Sequence, residues 1–199
     1  MTKIKICGLM RETDIDAVNA AKPDYVGFVF AESRRRVTPE RASELRRALA
    51  PGIVPVGVFV NSPLRDIMSL LDSGTIEIAQ LHGGEHDDYI SVLRDCGATV
   101  IQAIRHGRGD VPCALADFHL FDAPRGGSGE TFDHRTIQST DRPHFLAGGI
   151  SAQNLAAALA LNPFAVDISS GAETDGLKDF SKIQELVNIC RGAHCASAN

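Results

Sequence analysis

The chain has 199 residues, of which 44% are hydrophobic and 23% charged, and its formal net charge is −5. This is a globular composition, and the length suits a single domain with a substantial core. The acidic balance argues against a protein that binds nucleic acid through its overall charge. No segment approaches the roughly 20 apolar residues that cross a bilayer, and no signal-like run follows the N-terminal charges. We therefore expect a soluble, cytoplasmic protein with no membrane partner.

Cysteine usage is sparse and unpatterned. The chain contains no C-x-x-C motif and no histidine at zinc-finger spacing from a cysteine. The five cysteines are Cys7, Cys96, Cys113, Cys190 and Cys195. Their spread predicts reduced thiols rather than a disulfide framework, and we expect no metal site.

A unit of short apolar strand, Gly- or Ser-containing loop and helix recurs along the chain. The first strand alternates polar and apolar residues up to Cys7, and Thr13 and Asp14 offer a cap for the helix that follows. Pro55 is unfavourable in a central strand, so the third strand is expected to start near Val56. The predicted strands are 3–7, 25–30, 56–60, 76–81, 99–104, 118–121, 144–147 and 164–168. The predicted helices are 15–21, 39–49, 64–71, 87–96, a weak one near 133–138, 152–161 with Ser151 as its cap, and 182–191.

Eight strands with helical or loop crossovers predict one compact (β/α)8 barrel spanning residues 1–199. The loops must be short and some helices reduced, since residues 111–116 contain Pro112 and favour a loop, and the tail from about 192 is expected to fray. An open doubly wound sheet is the alternative. It would be favoured by a G-x-G-x-x-G motif in the first loop, which Gly8-Leu9-Met10-Arg11 lacks.

Polar residues fall where the predicted strands end, which is the ligand-binding edge of a parallel barrel. They include a thiol, Cys7, and an acid, Asp122. Glycine- and serine-rich turns follow the last two strands and expose backbone N–H groups that suit a phosphate. These turns contain Gly148, Gly149, Ser169 and Ser170. Taken singly, the cysteine also fits a buried apolar site, the aspartate a turn cap, and the glycines simple chain reversal.

Motifs spread from the first strand to the eighth resemble those of phosphoribosylanthranilate isomerases. They are Lys5-Ile6-Cys7-Gly8, Gly27-Phe28-Val29-Phe30, Gln80-Leu81-His82-Gly83, Phe121-Asp122, residues 126–132, Leu146-Ala147-Gly148-Gly149-Ile150 and Val166-Asp167-Ile168-Ser169-Ser170-Gly171. The resemblance implies a barrel enzyme of tryptophan biosynthesis with no metal and no organic cofactor. It would convert N-(5-phosphoribosyl)anthranilate to 1-(2-carboxyphenylamino)-1-deoxyribulose 5-phosphate by an Amadori rearrangement.

The resemblance also implies roles for individual residues. Cys7 would be the general base and Asp122 the general acid. A thiol serves as a base only as thiolate, so its pKa must fall toward neutrality, and the arginines at 34–36 together with bound substrate groups are expected to influence it. Carboxylic acids donate protons at neutral pH only when burial or a nearby anion keeps them protonated.

Binding residues follow from the same resemblance. Arg35 would bind the anthranilate carboxylate, although Arg36 stands where the family commonly has tyrosine, which leaves the choice between the two arginines open. Further substrate-binding residues would be Gln80, His82 and Asp167, the last touching a sugar hydroxyl or the amine. Phosphate-binding residues would be Gly127, Gly148, Gly149, Ser169 and Ser170.

Two other functions compete with this one. A related histidine-pathway isomerase, or an enzyme serving both pathways, would have an aspartate in place of Cys7. A non-catalytic barrel that binds a sugar phosphate would need the phosphate turns but no acid–base pair. The partner in each case is a small phosphorylated molecule, and the chain is expected to be a monomer or a homodimer.

Overall fold

The computed structural model describes residues 1–105, 111–123 and 142–192, and within them eight parallel strands close into a barrel. The strands follow one another in chain order, and the eighth pairs with the first. They are β1 (Lys3–Cys7), β2 (Tyr25–Val29), β3 (Val54–Phe59), β4 (Ile78–Leu81), β5 (Thr99–Arg105), β6 (Phe118–Asp122), β7 (His144–Leu146) and β8 (Ala165–Ile168). This confirms the predicted (β/α)8 barrel.

Helices surround the barrel on its outer side. They are α1 (Glu12–Ala21), α2 (Pro39–Ala48), α3 (Leu64–Asp72), α4 (Asp87–Asp95), α5 (Leu155–Leu159) and α6 (Phe180–Gly192). Residues 111–117 form a loop, as Pro112 indicated. The helix expected near 133–138, the glycine-rich segment with Gly127 and the tail beyond Gly192 lie outside the described residues. None of the described helices is long and apolar enough to cross a membrane.

Side-chain alternation along each strand separates two layers. On β1, Ile4 and Ile6 point outward into the apolar layer beneath the helices, whereas Lys5 points into the barrel. The inner layer is apolar near the N-terminal ends of the strands, where Phe145 packs edge-on against Tyr25 at a centroid distance of 5.5 Å. The polar side chains therefore lie above this apolar plug, toward the C-terminal ends of the strands.

Three local predictions were wrong. Asp14 does not precede α1 but occupies its first turn, where Oδ2 accepts the N–H groups of Met10 and Arg11. Pro55 lies inside β3, one residue before Val56, which is the first residue to pair with β4. The N–H that proline lacks therefore falls outside the hydrogen-bonded ladder between β3 and β4. Helix α5 is shorter than predicted because the chain from Ser151 first makes a turn, in which Ser151 N–H donates to Asn154 Oδ1.

A short hairpin after β8 was not predicted. A single 3-10 turn over Ser170–Ala172 leads into β9 (Glu173–Thr174) and β10 (Leu177–Lys178), which pair antiparallel. Asp175 and Gly176 connect these strands with φ of 51° and 79°. Positive φ at both positions is the geometry of the type I′ turn, for which Asp-Gly is a preferred sequence.

Candidate active site

Cys7 ends β1 with its side chain inside the barrel and 9% of its surface exposed. The thiol lies directly over β2 at Gly27. A Cβ built at Gly27 would come within 2.6 Å of Sγ, so a side chain there would displace the thiol. The backbone of Cys7 is tied to β8, because the Ser169 hydroxyl donates to the Cys7 carbonyl at 3.1 Å. The thiol is thus held at a fixed place at the mouth of the barrel.

Lys5 is fully buried one inward-facing position below Cys7. Its Nζ donates to Asp167 Oδ2 on β8 and to Gln80 Oε1 on β4, each at 2.8 Å. Asp167 Oδ1 is buried without a hydrogen-bond partner among the described residues. That oxygen remains available to accept from a bound molecule.

Burial raises the pKa of the Cys7 thiol above its usual value. The Lys5 ammonium is the strongest opposing influence, followed among the cations by Lys178, whereas the Asp167 carboxylate raises the pKa further. The arginines at 34–36, which we expected to contribute to a lower pKa, are not among the largest influences on the thiol. The cations that act on the thiol come instead from β1 and β10.

Asp122 ends β6 and is 5% exposed. Its Oδ1 accepts a hydrogen bond from the N–H of Ala123 at 2.8 Å. Its Oδ2 lies 3.2 Å from His82 Nε2, but the angles between the two groups are not those of a hydrogen bond. His82 Nδ1 is 3.2 Å from Gln80 Nε2. Gln80, His82 and Asp122 therefore form a line of polar side chains from the centre of the barrel to its mouth.

Arg35 is 5% exposed and is gripped by Glu173 of β9. Its Nε and Nη2 donate to the two carboxylate oxygens at 2.6 and 3.0 Å. The stem of Arg35 lies over Gly8, where a Cβ would come within 2.4 Å of Arg35 Cδ. The side chain is thus directed toward the loop that follows Cys7. Arg36, by contrast, is exposed and pairs with Glu32.

Glu173 joins two loops into one charged cluster. Besides Arg35, it accepts from Arg34 Nη2 at 2.7 Å and from Lys178 Nζ at 2.6 Å. Burial would raise the pKa of Glu173, but hydrogen bonds from Arg35 and Lys178 outweigh it and hold that pKa below the usual value. Three cations around one carboxylate leave a net positive charge beside the barrel mouth, which favours an anionic ligand.

The turns after β7 and β8 lie against each other. Gly148 and Gly149 have φ of 90° and 61°, and within the part of the chain that the structure describes their N–H groups donate to no acceptor. Gly171, which follows Ser169 and Ser170, packs tightly against the turn after β7. A Cβ at Gly171 would fall 2.0 Å from the Ile150 carbonyl oxygen. The two turns thus form one backbone-lined edge. Gly127, the remaining predicted phosphate-binding residue, lies outside the described residues.

Comparison with known proteins places this site in a family. The family model described as N-(5'phosphoribosyl)anthranilate (PRA) isomerase matches residues 4–189. The chain belongs to the N-(5'-phosphoribosyl)anthranilate isomerase family. The isomerase of that name from Endomicrobium trichonymphae is 46% identical over 96% of this chain and 99% of its own length.

Solved structures of phosphoribosylanthranilate isomerases share the fold. The enzyme from Thermus thermophilus has a TM-score of 0.85 and 34% identity, with all of both chains covered. Another phosphoribosylanthranilate isomerase, in complex with reduced 1-(o-carboxyphenylamino)-1-deoxyribulose 5-phosphate, has a TM-score of 0.79 and 28% identity, covering 96% of this chain and all of that one.

Three charged residues of this isomerase site escaped the sequence analysis. Lys5 was interpreted only as one of the polar residues that alternate along the first strand. The same period of two places it on the face of the strand that carries Cys7. Glu173 and Lys178 were overlooked with their hairpin, although Asp175-Gly176 is a strong hairpin signal. Among the described residues no cluster of His, Cys, Asp or Glu suits a metal ion.

Proposed function

We propose that this member of the family uses Cys7 as general base and Asp122 as general acid. The chain is an isomerase of tryptophan biosynthesis that converts N-(5-phosphoribosyl)anthranilate to 1-(2-carboxyphenylamino)-1-deoxyribulose 5-phosphate. The observation that carries the assignment is the placement of both side chains at one barrel mouth, at the ends of β1 and β6. Lys5, Gln80 and His82 lie between them.

Each proton has a defined course in this assignment. Protonated Asp122 gives its proton to the furanose ring oxygen, and the ring opens as the anthranilate nitrogen forms a double bond to C1. The Cys7 thiolate then removes the proton on C2, which yields an enolamine. The Cys7 thiol then gives its proton to C1 while the C2 hydroxyl loses its proton, which restores the protonated form of Asp122, and the product is the amino-ketose. General acid–base groups of this kind contribute about 10²- to 10⁴-fold each.

The remaining contacts suit the two ends of the substrate. Arg35 engages Glu173 through Nε and Nη2, so its Nη1 side stays available for the anthranilate carboxylate. The N–H groups of Gly148 and Gly149, together with Ser169 and Ser170, would receive the phosphate. Gln80 and His82 would line the pocket, and Asp167 Oδ1 would accept a sugar hydroxyl or the amine.

Substitution of the two proposed catalytic residues tests the assignment. Cys7→Ser and Asp122→Asn keep the shape of each side chain, and each is expected to lower kcat by at least about 10²-fold. Cys96→Ser and Asp95→Asn are matched controls at exposed positions and should retain full turnover. Affinity for the reduced product analogue, measured by calorimetry, should stay within a few-fold in all four variants. More than about a tenth of the wild-type rate in either catalytic variant would reassign that role.

The same assay separates the other functions. Turnover of the histidine-pathway aminoaldose alongside phosphoribosylanthranilate would indicate an enzyme of both pathways, and affinity without turnover a binding protein. We further propose a cytoplasmic location and a monomer or homodimer. Both stay predictions, which cell fractionation and sedimentation would check.

A further inference from the structure

The burial of the charged Lys5 side chain has a free-energy cost that packing of the barrel does not explain. Burying an ammonium and a carboxylate costs several kcal/mol per ion, and replacing such a pair by apolar side chains is often neutral or stabilising. The lower interior of the same barrel is filled by apolar residues such as Phe145. A fully buried Lys5–Asp167 pair at 2.8 Å in the upper interior therefore requires a reason other than packing.

The position of the ammonium supplies one. Lys5 and Cys7 are successive inward-facing residues of β1, about 6.6 Å apart along the strand at 3.3 Å per residue. A lysine has three N–H donors, and Lys5 gives one to Asp167 and one to Gln80. The Lys5 ammonium also lowers the pKa of the Cys7 thiol against the effect of burial. Its two hydrogen bonds leave one of the three N–H donors for the thiolate that forms when Cys7 ionises.

We propose that Lys5 is a positioning residue of the isomerisation, whose ammonium stabilises the Cys7 thiolate and whose hydrogen bond to Gln80 orients the side chains that reach Asp122. The inference rests on the roles proposed above for Cys7 and Asp122. It adds a residue that touches neither the reacting carbon atoms nor the ring oxygen but acts on both groups that do.

The orientation follows from the donor inventory of these side chains. A lysine ammonium can only donate, so the amide atom of Gln80 facing it is the oxygen, and Gln80 Nε2 must face His82. Nε2 is a donor, so His82 Nδ1 accepts and the imidazole proton lies on Nε2. His82 Nε2 is the atom that faces Asp122 Oδ2. One lysine therefore fixes both the amide orientation and the imidazole tautomer.

Other charges also face the thiol. Asp167 of β8 opposes the thiolate, Lys178 of β10 supports it, and Arg35 lies over the adjacent Gly8. Lys178 is itself engaged by Glu173 and by the Ser169 carbonyl. Lys5 has the strongest opposing effect on the burial-raised pKa of Cys7. A test must therefore substitute Lys5 alone, leave these other residues as they are, and measure the ionisation of Cys7.

Titration of the thiol provides that test. In Lys5→Met, the midpoint for Cys7 ionisation should move to higher pH, followed by ultraviolet thiolate absorbance after subtracting the matching Cys7→Ser protein. Loss of a neighbouring charge shifts a titration by about one to three pH units. A thiolate of higher pKa is also more nucleophilic, which on a logarithmic scale offsets about half of the rate lost with the smaller thiolate fraction. Alkylation of Cys7 by iodoacetamide at pH 7 should slow by about three- to thirty-fold.

Lys3→Met is the matched control, because Lys3 lies on the same face of β1 but contacts Tyr25 and Phe164 at the other end of the barrel. It should leave the titration unchanged. Lys5→Gln retains hydrogen bonding without charge and should behave as Lys5→Met. An unchanged midpoint in a folded Lys5 variant overturns the inference.

If both Lys5 variants fail to fold, the inference can be tested by NMR on the wild-type protein. The Lys5 Nζ resonance in nitrogen-labelled protein should follow the Cys7 titration, and that step should vanish in Cys7→Ser. Its persistence there overturns the inference. The same spectra should show His82 protonated on Nε2, and protonation on Nδ1 would contradict the orienting role.

These results are independent of the catalytic assignment. Full turnover by Cys7→Ser would refute the proposed base whatever the titration shows. An inactive Cys7→Ser with no coupling between Lys5 and Cys7 would refute the role of Lys5 alone.

Discussion

The two halves of the barrel interior are built from the same strands but from opposite kinds of side chain. Near the N-terminal ends, Phe145 is fully buried and packs edge-on against Tyr25 and Phe118 at centroid distances of 5.5 and 5.6 Å. Near the C-terminal ends, the buried side chains include Lys5 and Asp167, joined at 2.8 Å.

The difference separates stability from chemistry. Aromatic burial stabilises the folded state without requiring any partner in a fixed orientation. A buried polar side chain must find its donors and acceptors, so each member of the upper half restrains its neighbours. We therefore expect substitutions in the lower half to change the free energy of unfolding, and substitutions in the upper half to change binding or turnover.

Phe145→Ala should have the largest effect on stability. Removing a fully buried phenyl ring leaves a cavity, and such changes cost about 3–5 kcal/mol. Denaturant titration should show that loss. The kcat of the protein that remains folded should be within about twofold of wild type, since Phe145 lies below the polar layer. A large fall in kcat with unchanged stability would break the division between the two halves.

Arg35→Ala should come next, through binding. Losing a charge-assisted contact to the anthranilate carboxylate costs about 1.5–3 kcal/mol, or roughly ten- to a hundred-fold in affinity for the reduced product analogue. Arg34 and Lys178 still neutralise Glu173 in this variant, so the fold should survive. Arg36→Ala is the control and should leave the affinity within about twofold. The reverse ranking would assign the carboxylate to Arg36.

Lys3→Met should have the smallest effect and sharpens the comparison within one strand. Lys3 lies over the rings of Tyr25 and Phe164 at 5.4 and 5.0 Å and donates to the Tyr25 hydroxyl. Cation–π contacts at partly exposed sites such as this one contribute about 0.5–1 kcal/mol. We expect a loss of that size in the free energy of unfolding and unchanged kcat. A large fall in the kcat of Lys3→Met would show that β1 transmits disruption along its length.

Much of the fold was predictable because strand periodicity and turn residues are local. The alternation of Lys3-Ile4-Lys5-Ile6-Cys7 gave β1 its bounds, and continuous apolar runs located other strands. The start of α1 and the length of α5 were missed because Asp14 and Asn154 accept backbone N–H groups that a propensity argument does not locate. The hairpin at Asp175-Gly176 was missed despite its local signal.

The sequence by itself determined the succession of strands and crossovers that predicts a barrel, the position of Cys7 at the end of the first strand and the turns at Gly148-Gly149, because each follows from neighbouring residues. Only the tertiary structure decided which charges meet. Lys5 reaches partners on β4 and β8, and Arg35 joins Glu173 across 138 positions of sequence. Barrel closure buries these side chains together, and electrostatic interactions between buried groups are stronger than between groups in water. Burial raises the pKa of Cys7 and Lys5 of its own motif opposes that rise, whereas the effects of Asp167 and Lys178 come from β8 and β10, which only the tertiary structure brings to the thiol.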